Sequence, residues 1–323
     1  MGKDFKIREF YIAITNRCNL ACIMCTTGKG RHDAKNELTA QDWKKTILSL
    51  NKDCLVQRVT FGGGEPLLRE DLAEIIKFTC SVGVEEVNII SNGTLLDGKF
   101  MRRFNRGELK RLGINISIDG LEYDHNYIRG PGAFERTIKN LELLYYGFLK
   151  PGKIKNLTIS STLMQENFAQ YINFLKFIKK YEGVRIDIQP VISNNEICYQ
   201  KGEFRLTELE KNKLREIIDY LVKNIDISTR SAEVIKSYIR YFDNNLVKSG
   251  RCSTGYESLN ITFDGYPYLC GKQISMPLCK FDFKDVFYSK EYQDELKRIK
   301  ACRQPCLQGL HLNPEEEFKD EYS

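Results

Sequence analysis

Hydrophobic residues along the first two thirds of the chain alternate between two patterns. Short apolar runs typical of buried strands cover Tyr11–Thr15, Gln57–Phe61, Glu86–Ser91, Ile114–Ile118, Asn156–Leu163 and Val184–Val191. Segments with helical spacing lie between them, at Thr39–Leu50, Asp71–Ser81, Leu96–Asn105, Ala133–Tyr146 and Asn167–Tyr181. This alternation predicts an α/β fold with parallel strands and crossover helices. Because six such units are too few for a closed eight-stranded barrel, we predict an open, partial (β/α)6 barrel.

The pattern changes after Val191. Two helices are predicted at Leu206–Lys223 and Ala232–Asn245, and two alternating runs then flank Asp264-Gly265, which predicts a two-residue hairpin turn. A last predicted helix leads into Cys302. We therefore predict a partial barrel over residues 1–205, a helical connection over 206–250 and a small cysteine-rich unit over 251–323.

Composition narrows the range of functions. The excess of 49 Lys and Arg over 43 Asp and Glu gives a net charge of +6 that is spread along the chain, so we expect no nucleic-acid partner, although an anionic substrate remains compatible. The N-terminus lacks the apolar stretch of a signal peptide, and no apolar run approaches the roughly 20 residues of a membrane helix. We expect a cytoplasmic protein without a membrane partner.

The chain has 11 cysteines. In the reducing cytoplasm they indicate metal binding or redox chemistry rather than disulfides.

Three cysteines crowd the loop that follows the first predicted strand. Cys18, Cys22 and Cys25 have the spacing CxxxCxxC. Three thiolates can hold an iron–sulfur cluster and leave one iron without a protein ligand. Catalytic metal sites often have such an open coordination position. The alternative is a structural zinc site with His32 as a fourth ligand.

A glycine-rich motif ends the second predicted strand. Gly62-Gly63-Gly64 allows a close approach to the backbone, and Glu65 adds a carboxylate at the barrel mouth where the cysteines lie. The two motifs together resemble the radical S-adenosylmethionine (SAM) superfamily.

The resemblance implies a four-iron four-sulfur (4Fe-4S) cluster on Cys18, Cys22 and Cys25, with SAM at its open iron. Glu65 would accept a hydrogen bond from the amino group of SAM. A low-potential electron donor such as flavodoxin or ferredoxin would supply the electron that cleaves SAM to methionine and a 5′-deoxyadenosyl radical. The radical would then abstract a hydrogen atom from the substrate.

Further SAM contacts are implied at the other strand ends. Ser117 and Arg129 suit the ribose hydroxyls and the methionine carboxylate, and Asp119 suits either the cofactor or the substrate. Asn92 would contact SAM or form an ordinary turn with Gly93. The remaining implied contacts are Met24, Gly63, Gly64, and the backbone of Ile188 and Gln189. We expect His125 to lie on the surface.

The C-terminal cysteines resemble the SPASM and twitch extensions of this superfamily. Cys252 is followed by 12 residues, Gly265, four residues and Cys270, and Cys302 and Cys306 supply two more thiols. Four thiolates are enough for a second 4Fe-4S cluster in the shorter twitch form. Cys279 could replace one of these ligands, and a zinc ribbon is the alternative.

These features lead to an expectation about the reaction. We expect epimerisation or dehydrogenation of a small polar substrate such as a sugar, aminocyclitol or nucleoside, with Cys198 or Cys279 as a candidate hydrogen donor. The alternatives are a peptide maturase (of the RiPP type) and a non-catalytic iron–sulfur or zinc protein. Few residues precede the first strand, which favours a small substrate over a peptide bound through a leader domain. The final residues, Asp320–Ser323, lack the Gly-Gly terminus of the molybdenum-cofactor branch, so we expect the chain to fall outside that branch.

Overall fold

Six parallel strands form the main part of the computed structural model, which describes residues 5–25, 35–191, 205–244 and 252–302. The strands are β1 (Glu9–Thr15), β2 (Arg58–Gly63), β3 (Glu86–Ser91), β4 (Leu112–Ser117), β5 (Asn156–Leu163) and β6 (Arg185–Pro190). Each strand pairs in parallel with the next along the chain. Since β1 and β6 lie five positions apart in the sheet order, the barrel is open. The predicted fold class is confirmed.

Crossover helices connect the strands. They are α1 (Ala40–Asp53), α2 (Leu72–Ser81), α3 (Gly98–Met101), α4 (Arg106–Leu109), α5 (Glu122–Arg129), α6 (Ala133–Leu144) and α7 (Tyr171–Ile178). A capping box of Thr39 and Asp42 starts α1, as the sequence indicates. Among the helices of the described residues, none is both long enough and apolar enough to span a membrane.

One helix prediction in this region is wrong, and one helix is not predicted at all. The segment Leu96–Asn105 was expected to be one helix, but Asp97 and Asn105 each cap a separate short helix, α3 and α4. Conversely, α5 was not predicted. Its buried face carries Asp124, His125 and Arg129 beside Ile128, so burial and hydrophobicity do not coincide there.

The C-terminal part adds strands to the same sheet. After α8 (Glu208–Lys223) and α9 (Ala232–Phe242) come β7 (Ser258–Ile261), β8 (Pro267–Leu269), β9 (Lys272–Gln273), α10 (Phe283–Tyr288) and α11 (Lys290–Ala301). Strand β7 pairs in parallel with β1, and β8 and β9 continue outward as antiparallel strands. The buried ring of Phe5 packs edge-to-face against Phe283 and at a tilt against Phe287, with centroids 5.3 and 4.6 Å apart. The boundaries of the three predicted parts remain a prediction.

The hairpin between β7 and β8 is present, but its turn differs from the prediction. Residues 262–266 separate the paired Ile261 and Pro267, so the connection is longer than the two residues predicted. The Gly265 amide donates to the Thr262 carbonyl at 2.8 Å, and Gly265 has φ of +87°. A turn followed by a left-handed glycine is a common longer hairpin connection.

Candidate active site

The carboxyl ends of β1 to β4 bring the predicted motifs together. The cysteine loop follows β1, the glycine motif ends β2, Ser91-Asn92 ends β3, and Ser117 and Asp119 lie at the end of β4. In parallel α/β sheets this edge is where ligands bind. The spatial grouping therefore agrees with the order of motifs along the sequence.

Backbone contacts join the glycine motif directly to the cysteine loop. The Gly64 amide donates to the Thr15 carbonyl at 2.8 Å, and the Glu65 amide donates to the Arg17 carbonyl at 2.7 Å. A Cβ on Gly64 would lie 2.0 Å from the Arg17 oxygen, and a Cβ on Gly63 would lie 2.4 Å from the Thr15 oxygen. Glycine is therefore required at both positions by the close passage of two chain segments.

Glu65 lies buried between the first two motifs and the end of β3. Its Oε1 accepts hydrogen bonds from the Leu67 amide at 3.1 Å and the Ser91 hydroxyl at 3.0 Å, and its Oε2 accepts from the Asn92 amide at 2.8 Å. Burial raises the pKa of Glu65 to about 7, although these donors oppose the shift. Acceptor capacity remains on the carboxylate, because a carboxylate offers about four lone-pair sites.

Asn92 connects Glu65 to the cysteine loop. Its Nδ2 donates to Asn19 Oδ1 at 2.8 Å and lies 4.0 Å from Cys18 Sγ. Its Oδ1 accepts from the amide and hydroxyl of Thr94. Asn92 thus forms part of a local turn and also faces a predicted cluster ligand. Asn19 and Ser91 were not singled out from the sequence, although both adjoin residues that were.

The three thiols of the cysteine loop have an environment suited to a metal cluster. Cys18 and Cys22 are buried and Cys25 is half-buried. Burial raises the pKa of Cys18, and it raises that of Cys22 to about 11, so compensation by a cation is needed to hold thiolates here. Among the described residues, no three Cys, His, Asp or Glu side chains converge closely enough for a single metal ion. The donor set fits the soft ligands of an iron–sulfur cluster.

Arg129 is a second donor to this loop. Its Nη1 lies 3.9 Å from Cys22 Sγ, and its Nε donates to Asp119 Oδ2 at 2.6 Å. The other Asp119 oxygen accepts from the Thr162 amide at 2.8 Å. The structure therefore places the fully buried Asp119 behind Arg129, with both carboxylate oxygens occupied by protein donors.

His125 is buried, so the prediction of a surface position is wrong. Its Nδ1 accepts from the Asp119 amide at 3.2 Å, and burial lowers its pKa to about 4. The neutral ring thus helps to fix the chain at Asp119. The sequence does contain a signal for this buried helix face, because Asp124, His125 and Arg129 recur at helical spacing.

The other predicted SAM contacts are more dispersed. Met24 and Ser117 are half-buried, and Gln189 is exposed with its side chain on Asp187. The Ile188 carbonyl already accepts a hydrogen bond from the Tyr238 hydroxyl at 2.6 Å. The roles assigned to these residues stay predictions.

Cys270 and Cys302 lie near the end of α11. Cys302 caps this helix, and Arg298 on its last turn donates to the Cys270 carbonyl at 2.9 Å. The segment that follows Cys252 packs on the same helix, because the Tyr292 hydroxyl donates to the Gly255 carbonyl at 3.1 Å. Cys306 lies outside the described residues, as does Cys198.

Cys279 occupies a different place. It is half-buried, and its Sγ lies 3.7 Å from where a Cβ on Gly265 would be. Burial and the nearby Asp42 raise the pKa of its thiol. These contacts place Cys279 between the β7–β8 turn and the start of α1.

The family model described as the radical SAM superfamily matches residues 12–178, which is more than half of the chain and includes both motifs. The chain belongs to the radical SAM superfamily. Membership in this family confirms the resemblance and supports SAM and a 4Fe-4S cluster as cofactors. It does not test the second cluster.

Two solved structures with bound SAM share the fold. Streptococcus suis SuiB bound to SAM superposes with a TM-score of 0.67 at 17% identity, covering 90% of this chain and 68% of that one. The structure described as native anSMEcpe with bound SAM gives a TM-score of 0.68 at 16% identity, covering 90% of this chain and 83% of the other. At these identities the likeness extends to the fold alone.

The curated relatives correct the expected reaction. A protein of Methanococcus maripaludis named probable GTP 3′,8-cyclase is 27% identical over 277 residues, covering 82% of this chain and 85% of the relative. A protein of the same name from Methanothermobacter thermautotrophicus is 36% identical over 149 residues, 46% of this chain and 47% of the relative. Epimerisation or dehydrogenation of a small polar substrate is therefore contradicted, because these relatives are named for ring closure of a nucleotide.

The close contact between Gly64 and the segment ahead of Cys18 can be tested by substitution. We predict that Gly64→Ala lowers the rate of 5′-deoxyadenosine formation by about tenfold or more, because the new Cβ displaces the backbone ahead of Cys18. The measurement is product formation by anaerobically reconstituted, reduced protein supplied with SAM. Gly147→Ala is the control, since nothing lies within 4 Å of its Cβ position. Equal rates in the two variants would contradict the prediction.

Proposed function

We propose that this protein cleaves SAM reductively and uses the resulting 5′-deoxyadenosyl radical on a nucleotide substrate of the GTP class. The barrel mouth supports the first half of this proposal, and the curated relatives support the second. The single observation that carries it is the position of the cysteine loop beside Glu65: Asn92 contacts both Glu65 and Cys18, and the Gly64 and Glu65 amides bind the segment ahead of Cys18.

Cys18, Cys22 and Cys25 would hold the 4Fe-4S cluster. When bound there, the cluster supplies the electron that breaks the carbon–sulfur bond of SAM. Asn92 and Arg129 direct N–H groups toward Cys18 and Cys22, which stabilises negative charge on these sulfurs. Reduction adds negative charge, so such donors favour it. A low-potential donor such as flavodoxin or ferredoxin is the proposed electron source.

Glu65 is suited to bind the ammonium group of SAM. Its carboxylate is buried, and a pKa raised to about 7 means that desolvation outweighs the protein donors. An added cationic donor would favour the ionised form, because an opposite charge within hydrogen-bond distance lowers a carboxyl pKa. Arg129 is the proposed partner of the SAM carboxylate, and Asp119 fixes its guanidinium from behind.

The proposed substrate class comes from sequence similarity. An alignment that covers 82% of the chain is longer than the partial barrel and so includes part of the C-terminal region. The net charge of +6 suits a polyphosphate ligand. Epimerisation is not part of this proposal, so Cys198 and Cys279 have no role as hydrogen donors in it.

A second 4Fe-4S cluster on Cys252, Cys270, Cys302 and Cys306 is also proposed. Cys270 and Gly271 form a two-residue turn between β8 and β9, and both have positive φ, +44° and +90°. Asn-Gly is the preferred pair for such a turn, whereas cysteine is an unfavourable choice. Strained residues of this kind cluster at functional sites, which supports a ligand role for the exposed Cys270 thiol.

Isotope transfer tests the proposed substrate. Joining C3′ of GTP to C8 requires removal of a hydrogen atom from C3′. We predict that reconstituted, reduced protein supplied with SAM and GTP deuterated at C3′ forms 5′-deoxyadenosine that carries one deuterium, detected by mass spectrometry. ATP deuterated at the same carbon is the control for nucleotide choice. Deuterium-free 5′-deoxyadenosine, formed at the same rate with and without GTP, would rule out this substrate.

The turn at Cys270 allows stability and metal binding to be separated. We predict that Cys270→Asn raises the unfolding free energy of the metal-free protein by about 0.5–1 kcal/mol, because asparagine tolerates positive φ better. The same variant should hold about four irons per chain where the wild type holds about eight. Urea denaturation and iron analysis provide the two measurements, with the buried Cys80→Ala as the control for loss of a thiol. Retention of about eight irons would contradict this prediction.

A further inference from the structure

Glu37 is a buried carboxylate that the proposed chemistry does not use. It lies 12 residues after Cys25 and just ahead of the capping residue of α1, and its side chain is 6% exposed. Neither the motifs nor the family match singles it out.

The donors to Glu37 come from consecutive residues ahead of Cys18. Its Oε1 accepts from the Thr15 hydroxyl, from the Asn16 amide at 3.2 Å and from Arg17 Nε at 3.3 Å. Its Oε2 accepts from Arg17 Nη2 at 3.2 Å. One carboxylate thus binds the whole segment that leads into the cysteine loop, and it does so from the segment that follows the loop.

Arg69 compensates the buried charge of Glu37. The two side chains approach to 3.6 Å and are 5% and 6% exposed. Arg69 also donates to the Ile14 carbonyl at 3.1 Å and the Leu38 carbonyl at 2.9 Å, and it pairs with Asp71. Arg69 follows Glu65 by four residues, so the segment after the glycine motif supplies a side chain that binds the chain on both sides of the cysteine loop.

The segment 15–17 is therefore held on two sides. The amides of Gly64 and Glu65 bind its carbonyls, and Glu37 binds its amide and side-chain donors. Fixing both ends of a loop lowers the entropy lost when the loop binds a ligand. A cluster held by three thiols depends on such preorganisation, because outer partners of metal ligands strongly affect metal affinity.

We propose that Glu37, paired with Arg69, is a positioning residue that preorganises the cysteine loop for cluster binding. This inference rests on the proposed function, since it requires that Cys18, Cys22 and Cys25 hold a cluster. Glu37→Gln keeps the size of the side chain but removes its charge. It also places an NH2 group, itself a donor, beside the donors of residues 15–17. Glu37→Asp keeps the charge on a shorter side chain.

The test is the rate at which the loop cysteines become exposed to alkylation. Wild type and variants are reconstituted anaerobically, a chelator is added, and iodoacetamide labelling of tryptic peptide 18–29, which contains all three cysteines, is followed by mass spectrometry. We expect labelling of Glu37→Gln to be about tenfold or more faster than that of the wild type, with Glu37→Asp restoring part of the protection.

Glu86→Gln is the matched control. Glu86 also pairs with cations, Arg58 and Lys155, but it lies at the amino end of β3, the opposite edge of the sheet. Peptide 18–29 of the Glu86→Gln variant should be labelled at the same rate as that of the wild type. Equal rates in Glu37→Gln and wild type, or equally fast labelling in Glu86→Gln, would overturn the positioning role. If the wild-type peptide were unprotected before chelation, the proposed cluster itself would be wrong.

Discussion

The close passage of two backbone segments is the constraint on which the site depends. Residues 15–17 run so near to Gly63 and Gly64 that a side chain at either glycine would overlap a carbonyl oxygen. Two amide–carbonyl hydrogen bonds form across this contact, and they place the first cysteine beside the carboxylate that follows the glycines. The glycines are therefore required because two functional segments must meet, and not only because a turn is present.

Three buried carboxylates lie at the barrel mouth, and each is bound by protein donors. Glu65 is bound by the end of β3, Glu37 is bound by the segment ahead of Cys18 and by Arg69, and Asp119 is bound by Arg129. Removing one partner of a buried charge costs several kcal/mol, so these groups specify one arrangement of the loops. The cost is acceptable at a site whose ligands must be fixed before the cofactor binds.

The sequence predicts the strands of the barrel and the grouping of its motifs, because both follow from hydrophobic periodicity and residue spacing. It does not predict α5, whose buried face is polar, or the depth of His125. Glu37 and Arg69 were also missed, since an isolated charged residue is usually exposed and only the fold shows that they meet. The turn at Asp264-Gly265 was expected to be shorter, whereas the two-residue turn occurs at Cys270-Gly271, where the cysteine hides the usual signal.

The central claim is that the cysteine loop holds a cluster with an iron open to SAM. The most direct measurement is the electron paramagnetic resonance spectrum of the reduced, reconstituted protein before and after addition of SAM. The account predicts that SAM changes the spectrum of the wild type and leaves that of the Cys18→Ala, Cys22→Ala, Cys25→Ala triple variant unchanged. A wild-type spectrum that does not respond to SAM, or a triple variant that responds as the wild type does, would contradict it.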